Sequence, residues 1–416
     1  MVTAFLKHAG HRLFLKGLMV TFALVLSACG SIPDRHPYLA DASVLGSIGN
    51  FDNIRFWGDA APPDLMDRIK SITPEEDKAN RSGLYGTEHN YLAISGGGQN
   101  GAFAAGLLVG WTSLGTRPEF GIVTGISTGA LIAPFVFLGP QYDHVLKEVY
   151  GSYSTKDLMK KRGYLKALTG DAMASSAPLK ALLERYITPD IVDQLAKQHR
   201  VGRRLFIGTT NLDAKRPVIW IITAIAASGD PQARSLIIDV ILASASLPAA
   251  LPPVLFEVEV DGQIYDELHV DGGVTSQVFV YPSAIDWKLV TRQLKVKGTP
   301  QVWVIRNSKL NPEFNPVKGS LLSIAGSSVD SLIRTQGIGD LYQVYVNALR
   351  DNLDFNLAFI PPEFDFESTE VFDVQYMRAL FDFAYQKMAE GYEWYRRPPQ
   401  LGNTPLRNRT DAVSQE

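Results

Sequence analysis

The stretch GIVTGISTGALIAPFVFL, residues 121–138, decides the fold of this 416-residue chain. The short apolar run at 121–124 is typical of a buried strand, and the apolar run at 130–138 is typical of a buried helix. Only the sequence GISTG, residues 125–129, connects the two. A strand that turns directly into a helix predicts a parallel sheet whose strands are joined by helical crossovers.

The connection has the pattern G-x-S-x-G, with Ser127 between Gly125 and Gly129. A nucleophilic serine needs a sharp, strained turn, where side chains two residues before and after it would clash. The helix that follows points its free N–H groups at the serine and favours negative charge beside it. The pattern also fits an ordinary strand–helix turn with a capping serine. The apolar strand before it and the apolar helix after it favour Ser127 as a nucleophile.

A glycine-rich loop, GGGQNG at residues 96–101, lies between a predicted strand at 91–95 and a predicted helix at 102–114. The loop satisfies the G-x-G-x-x-G pattern of dinucleotide sites, which need an acidic residue at the end of the next strand. The next strand ends in GISTG instead, so a dinucleotide-dependent enzyme is disfavoured. Successive glycine N–H groups beside a helix N-terminus form an anion-binding nest. Such a nest suits the oxyanion of acyl transfer.

A serine nucleophile needs a base, and histidine is the usual one. Three histidines follow Ser127 in the sequence, none in a distinctive setting: His144, His199 and His269. The alternative is a carboxylate that is held close to the serine and partly desolvated, which Asp271 before two glycines could supply. Asp-Gly is also an ordinary turn, as at the predicted hairpin of residues 261–262. The residues alone leave both interpretations of Asp271 open.

Taken together, these motifs resemble those of the patatin-like phospholipase family. That family carries a G-x-G-x-x-G loop, then G-x-S-x-G, then D-G-[GA], which correspond here to residues 96–101, 125–129 and 271–273. Two further stretches also resemble the family: GTTNLD at 208–213 and ASASLPAALPPV at 243–254. The resemblance covers about residues 90–277.

The resemblance implies an α/β, three-layer fold with a mostly parallel central sheet and helices on both faces. It implies a Ser127–Asp271 dyad without a catalytic histidine, and neither a metal nor a cofactor. The implied oxyanion hole consists of the backbone N–H groups of Gly96, Gly97 and Gly98. The remaining motif glycines are Gly101, Gly125, Gly129, Gly272 and Gly273. One position departs from the family, because Asn100 stands where a basic residue is usual.

The first 28 residues are predicted to be a lipoprotein signal peptide. Three basic residues precede an apolar run at 17–26, and small residues lead to Cys29, the only cysteine of the chain. The sequence LSAC resembles the bacterial lipoprotein box, whose cysteine is lipidated. An uncleaved membrane anchor is the alternative, although the uncharged run is slightly short for a span. We therefore expect Cys29 to tether the protein in a bacterial cell envelope, at the periplasmic side of the outer membrane.

The rest of the chain divides by composition into four predicted parts. They are a tether with an N-terminal extension (29–86), a catalytic domain (87–310), a C-terminal helical part on the same domain (311–397) and a disordered tail (398–416). The net charge of -3 gives no reason to expect nucleic acid as a partner. The sequence therefore predicts a tethered serine hydrolase that acts on carboxylic esters of lipids. The alternative is an inactive lipoprotein that binds lipid or a protein partner; the sequence gives no oligomeric state.

Overall fold

The computed structural model describes residues 35–38, 41, 44–62, 65–162, 171–310, 316–317 and 319–399. In chain order its strands are β1 (Arg55–Trp57), β2 (Asn90–Ile94), β3 (Ile122–Ile126), β4 (Lys160–Lys161), β5 (Ala174–Ser175), β6 (Arg204–Asn211), β7 (Arg216–Ile221), β8 (Val254–Val260), β9 (Gln263–Asp271), β10 (Gln301–Arg306) and β11 (Asp354–Phe359).

The helices connect these strands. They are α1 (Leu65–Ser71), α2 (Pro74–Asn80), α3 (Gly101–Ser113), α4 (Thr128–Leu138), α5 (Asp143–Ser152), α6 (Thr155–Leu158), α7 (Ala177–Tyr186), α8 (Pro189–Arg200), α9 (Ile222–Ala227), α10 (Ala233–Ser244), α11 (Trp287–Gln293), α12 (Leu321–Asp351) and α13 (Val374–Ala389). Short 3₁₀ turns at Gly98–Asn100 and Gly272–Val274 follow β2 and β9.

The main sheet has the strand order β1-β7-β6-β3-β2-β10-β11. The five strands from β6 to β11 in this order are parallel, and β7 and β1 extend the sheet with antiparallel pairs. The central strands β2 and β3 are almost entirely buried, as their continuous apolar runs predict for strands covered on both faces. The carboxyl ends of the parallel strands therefore share one edge, and the loops that follow β2 and β3 meet there.

Helices cover both faces of this sheet. On one face α3, α4, α5, α10 and α13 bury a large apolar core, and α13 packs closely along α3. On the other face α11 and α12 pack over a second, smaller core. This arrangement is the expected α/β, three-layer fold with a mostly parallel central sheet, and it confirms the predicted fold class.

Sequence reasoning missed several elements. Among them are strands β1 and β11, because each lies at an edge of the sheet and follows from its pairing with β7 or β10. The chain also turns directly from β7 into α9 at Ile222, and the apolar run continues over both elements. The C-terminal part thus supplies a strand as well as helices, while the predicted domain limits stay a prediction.

Several predictions fall outside the described residues. They include the signal peptide at 1–28, Cys29, and the tail from residue 400 onward. Within the described ranges, none of the helices combines the length and the apolar character that a bilayer span requires.

Candidate active site

Ser127 lies on a strained turn between β3 and α4. Its backbone angles are φ 55° and ψ -122°, a conformation that non-glycine residues rarely adopt and that costs about 1–3 kcal/mol. The flanking glycines make the turn possible. A Cβ on Gly125 would lie 2.5 Å from the Gly129 carbonyl oxygen, and a Cβ on Gly129 would lie 2.2 Å from that of Ile94. The turn therefore presents the serine hydroxyl above the sheet edge, beside the N-terminus of α4.

Strand register brings Asp271 to this serine. Strand β3 pairs with one edge of β6 as far as Gly208, and β9 pairs with the same edge from Thr209 onward. Because β3 runs parallel to β6 and β9 runs antiparallel, their final residues approach each other. Asp271 is the last residue of β9 and faces Thr209, one position beyond the partner of Ile126. The C-terminal ends of β3 and β9 therefore meet at Ser127, the residue before α4.

The Asp271 carboxylate is buried beside the Ser127 side chain. Only 4% of Asp271 is exposed, and this burial raises its pKa from 3.8 to about 6. The Ser127 side chain and the Gly273 N–H, which lies 2.7 Å from Oδ1, act in the opposite direction by stabilising the charged form. The carboxylate is therefore ionised at neutral pH and a much stronger base than an exposed aspartate.

None of the five described histidines has a hydrogen bond to Ser127. His144 is exposed and contacts the carbonyl of Gln141, whereas His199 contacts Thr223. His269 is fully buried between Thr209 and Glu267, with ring contacts to two aromatic side chains. Its hydrogen bonds to Thr209 and Glu267 hold its side chain in the core.

We expect His269→Ala to lower stability and leave catalysis largely intact. The substitution removes the buried hydrogen bonds of the imidazole with Thr209 and Glu267, and it should destabilise the fold by about 2 kcal/mol or more. Thermal unfolding measures that loss, and ester hydrolysis normalised to folded protein measures the rate. A collapse of the rate in folded protein would instead favour a triad.

The glycine-rich loop after β2 lies against Ser127. A Cβ on Gly96 would come 3.2 Å from the Ser127 Cβ. The Gly96 N–H donates to the Gln277 carbonyl at 3.3 Å, whereas the N–H groups of Gly97 and Gly98 donate to no described residue. An oxyanion hole at this loop would therefore use Gly97 and Gly98 rather than all three glycines. The other motif glycines allow close packing: Gly101 against Thr128, and Gly272 against the Gly208 carbonyl.

Asn307, immediately after β10, fixes this loop. Its backbone N–H and side-chain amide both bind Ser95, and its Oδ1 accepts from the Ala104 N–H in α3. The Gly97 backbone passes so close that a Cβ would lie 2.3 Å from the Asn307 carbonyl oxygen. Asn307 was not identified from the sequence as a supporting residue. The only sequence signal for it is its position directly after the apolar strand β10.

Ser244, the last residue of α10, supports both catalytic loops. Its Oγ accepts from the Ser127 backbone N–H at 3.0 Å and donates to the Gly208 carbonyl at 2.7 Å. Gly208 in turn packs against Gly272, next to the base. Ser244 lies in the stretch 243–254 that resembles the family, but that resemblance gave it no role.

We expect Ser244→Ala to lower kcat by about 10–100-fold with little change in KM, because a shift of the nucleophile of about 1 Å has effects of this size. The matched control is Ser246→Ala, since Ser246 is equally buried but its hydroxyl binds only the Leu242 carbonyl. Steady-state kinetics on a soluble ester compare the two. Equal loss in both variants would contradict a positioning role for Ser244.

A buried cation lies behind the glycine-rich loop. Arg306, at the end of β10, donates to the Gln277 Oε1 at 3.2 Å, and Gln277 Nε2 donates to the Gly273 carbonyl. Burial lowers the pKa of Arg306 to about 10, so the guanidinium stays charged at neutral pH. Asn100, where the family usually has a basic residue, accepts a hydrogen bond from Tyr376 of α13. The positive charge in this region thus comes from β10.

Within the described residues, no group of three or more His, Cys, Asp or Glu side chains is placed to hold a metal ion. The chemistry that the described side chains offer is that of a serine with a buried carboxylate base. Backbone N–H groups on a neighbouring loop complete the set.

Fold and geometry thus define an α/β protein with a serine at a strand–helix elbow, beside a buried carboxylate. Residues 92–282 match the family model described as Patatin-like phospholipase. This part of the chain is therefore similar to the patatin-like phospholipase domain, and the match supports a family of lipid acyl hydrolases.

A search among curated proteins gave no match. Among solved structures, the chain is similar to the crystal structure of VipD from Legionella pneumophila, with a TM-score of 0.35 and 12% identity. That similarity covers 73% of this chain and 67% of the other, and at this level it carries no argument about function.

Proposed function

We propose that the protein is a serine acyl hydrolase that cleaves carboxylic esters of lipids through a Ser127–Asp271 dyad. The observation that carries this proposal is the strand register that places the buried Asp271 carboxylate, whose pKa burial raises to about 6, beside the Ser127 side chain. Among the described residues no cation forms an ion pair with Asp271, so this carboxylate is available as a base. The patatin-like domain supports lipid esters as the substrate class.

The reaction proceeds in two steps. Asp271 accepts the hydroxyl proton as Ser127 Oγ attacks the ester carbonyl, and the N–H groups of Gly97 and Gly98 stabilise the oxyanion. The intermediate collapses, the alcohol or lysolipid leaves with that proton, and an acyl-enzyme remains. Water then attacks the acyl-enzyme while Asp271 takes its proton. The bond between Ser127 Oγ and the acyl carbon breaks, Asp271 returns the proton to Oγ, and the fatty acid is released.

The first half of α12 exposes apolar side chains on the molecule's surface. Ile324, Val329 and Leu332 are 51%, 53% and 69% exposed. Further along the same helix, Asp340 accepts from the Gln277 backbone N–H at the active-site edge. An apolar helix that adjoins the site suits a substrate presented by a lipid surface.

The test compares a soluble chromogenic ester with phospholipid and lysophospholipid vesicles, for the unaltered chain and for Ser127→Ala. We expect fatty-acid release in each arm that depends on Ser127. Leu332→Gln should lower the vesicle rate several-fold and leave the soluble-ester rate unchanged. No release from any ester by the unaltered chain would reject the proposal and favour the alternative, a lipoprotein that only binds lipid or a protein partner.

We also propose that Cys29 is lipidated and holds the enzyme at a bacterial membrane, on the periplasmic side of the outer membrane. The support is the sequence alone: a basic start, an apolar run and LSAC before the only cysteine of the chain. Metabolic labelling with a fatty-acid analogue should label the protein. The label should disappear in Cys29→Ser, and persistence would contradict the proposal.

A further inference from the structure

A second site lies on the sheet face opposite the large core. A cavity of about 1130 Å³ opens there, and neither Ser127, Asp271 nor Gly96–Gly98 lines it. Protein interiors contain few voids larger than a water molecule, and ligand pockets measure about 300–1,000 Å³. The cavity is therefore too large to be a packing defect.

The topology explains why this face is open. Helices α11 and α12 cover the sheet over β2, β10 and β11. Over β6 and β7 the cover consists of described residues from 45–54, 58–62 and 65–69, which line the cavity but form no long helix. The wall formed by the strands and by α11 is largely aromatic and aliphatic: Phe56, Trp57, Phe206, Ile219, Ile221 and Trp287.

One part of the lining is cationic. Four arginines line the cavity, against Asp52 as the acidic lining residue. Three of them have carboxylate partners outside the lining: Arg55 with Glu267, Arg81 with Asp77 and Arg216 with Asp59.

Arg204 differs from these three. Among the described residues it forms no ion pair, and its guanidinium donates to the backbone carbonyls of His199 and Arg203. Burial and the neighbouring charge of Arg81 lower the pKa of Arg204 to about 10, which is still well above neutral pH, so the guanidinium stays charged there. An anion placed between Arg81 and Arg204 would relieve this repulsion.

We propose that this cavity binds a single-chain amphiphile with an anionic head group. The apolar chain packs against β6 and β7, and the head group binds at Arg204 and Arg81. A free fatty acid and a lysophospholipid with an anionic head both have this chemistry. The site is separate from the proposed reaction, because its lining contains none of the catalytic residues.

Two tryptophans in the cavity allow ligand binding to be measured by fluorescence quenching. Trp57 and Trp287 line the cavity, whereas the other four tryptophans of the chain do not. The full chain carrying Ser127→Ala, freed of lipid, is titrated with doxyl-labelled stearate, which quenches nearby indoles. We expect saturable quenching that disappears when both Trp57 and Trp287 are replaced by Phe.

Protein variants then distinguish binding of the anionic head group from binding of the ligand's apolar chain. Arg204→Gln should weaken binding about tenfold, since losing one charge-assisted hydrogen bond has roughly this effect. Arg234→Gln is the matched control, because Arg234 also donates to backbone carbonyls but lies outside the lining. Ala224→Trp, which fills part of the cavity, should abolish binding, with thermal unfolding as the check on folding.

Competition arms with unlabelled stearate, lysophosphatidate and stearyl alcohol identify the source of the ligand. Displacement by either anionic amphiphile, and not by the alcohol, supports the proposal and names the preferred head. Equal displacement by the alcohol, normal binding by folded Ala224→Trp, or absence of saturable quenching would overturn it. Because Ser127→Ala cannot turn over substrate, none of these results depends on the proposed hydrolysis.

Discussion

Ser127→Ala is expected to lower the hydrolysis of a soluble ester by about 10⁴-fold or more, the scale seen when serine hydrolases lose their nucleophile. The substitution removes the only atom that forms the acyl-enzyme, while the oxyanion donors of the neighbouring loop remain. Alanine keeps the Ser127 backbone N–H that Ser244 accepts, so the turn should persist. Initial rates and labelling by a fluorophosphonate, detected by mass spectrometry, measure the effect.

Ser113→Ala is the control for this experiment. Ser113 ends α3, at the opposite end of that helix from the glycine-rich loop, and its hydroxyl binds Val109 and Tyr385. This variant should keep the full rate and the label. Similar rates for the unaltered chain and Ser127→Ala would reject the nucleophile assignment, whatever the state of the Asp271 base.

The strained strand–helix turn at Ser127 could be predicted from the sequence because its requirements are local. A strand, two glycines and a helix lie within residues 121–138, and the close contacts of Gly125 and Gly129 give the spacing its physical reason. Asp271 was less certain, because Asp-Gly is also a common turn. What brings it to the serine is the change of partner along one edge of β6, at Gly208 and Thr209, which only the register of three strands determines.

The supporting residues could not be predicted from the sequence at all. Ser244, Gln277 and Asn307 act through backbone groups on loops far from them in the chain. No local pattern records such a contact, because it depends on where helix α10 and strand β10 end relative to the two catalytic loops. The same holds for the large cavity, which lies on the face of β6 and β7 where the described residues form no long helix, and which no motif marks.

Asp271→Asn is expected to reduce the rate by about 10⁴-fold, as replacement of a catalytic carboxylate by its amide can do. The amide cannot accept the serine proton. In the unaltered protein, kcat/KM should rise with pH up to about 6 and then level off, because the base works only when it is deprotonated. This inflection should be absent from the residual rate of Asp271→Asn.

Asp340→Asn is the matched control for the pH profile. Burial also raises the pKa of Asp340, a residue of α12 near the same edge of the sheet. Asp340 accepts from the Gln277 backbone N–H and does not contact Ser127. The profile of this variant should keep the inflection near pH 6. If the inflection disappears in Asp340→Asn and remains in Asp271→Asn, the titrating base is not Asp271.

The same burial makes Asp271 a cost to stability at neutral pH. Its pKa is 3.8 when exposed and about 6 in the fold, so the folded state holds the extra proton between these values and loses stability as pH rises through them. Asparagine mimics the protonated carboxyl, and its Oδ1 still accepts from Gly273. Asp271→Asn should therefore be more stable than the unaltered chain by about 1–3 kcal/mol at pH 8, and by nearly nothing below pH 4.

Urea unfolding at the two pH values measures this difference. We expect the inactive variant to gain stability only at the pH at which the carboxylate would be charged. This result would show that the fold buries Asp271 although its charged form is more stable in water, as a base in this position requires. Equal stability of the two proteins at pH 8 would mean that the carboxylate is well solvated. Asp271 would then be too weak a base to activate Ser127.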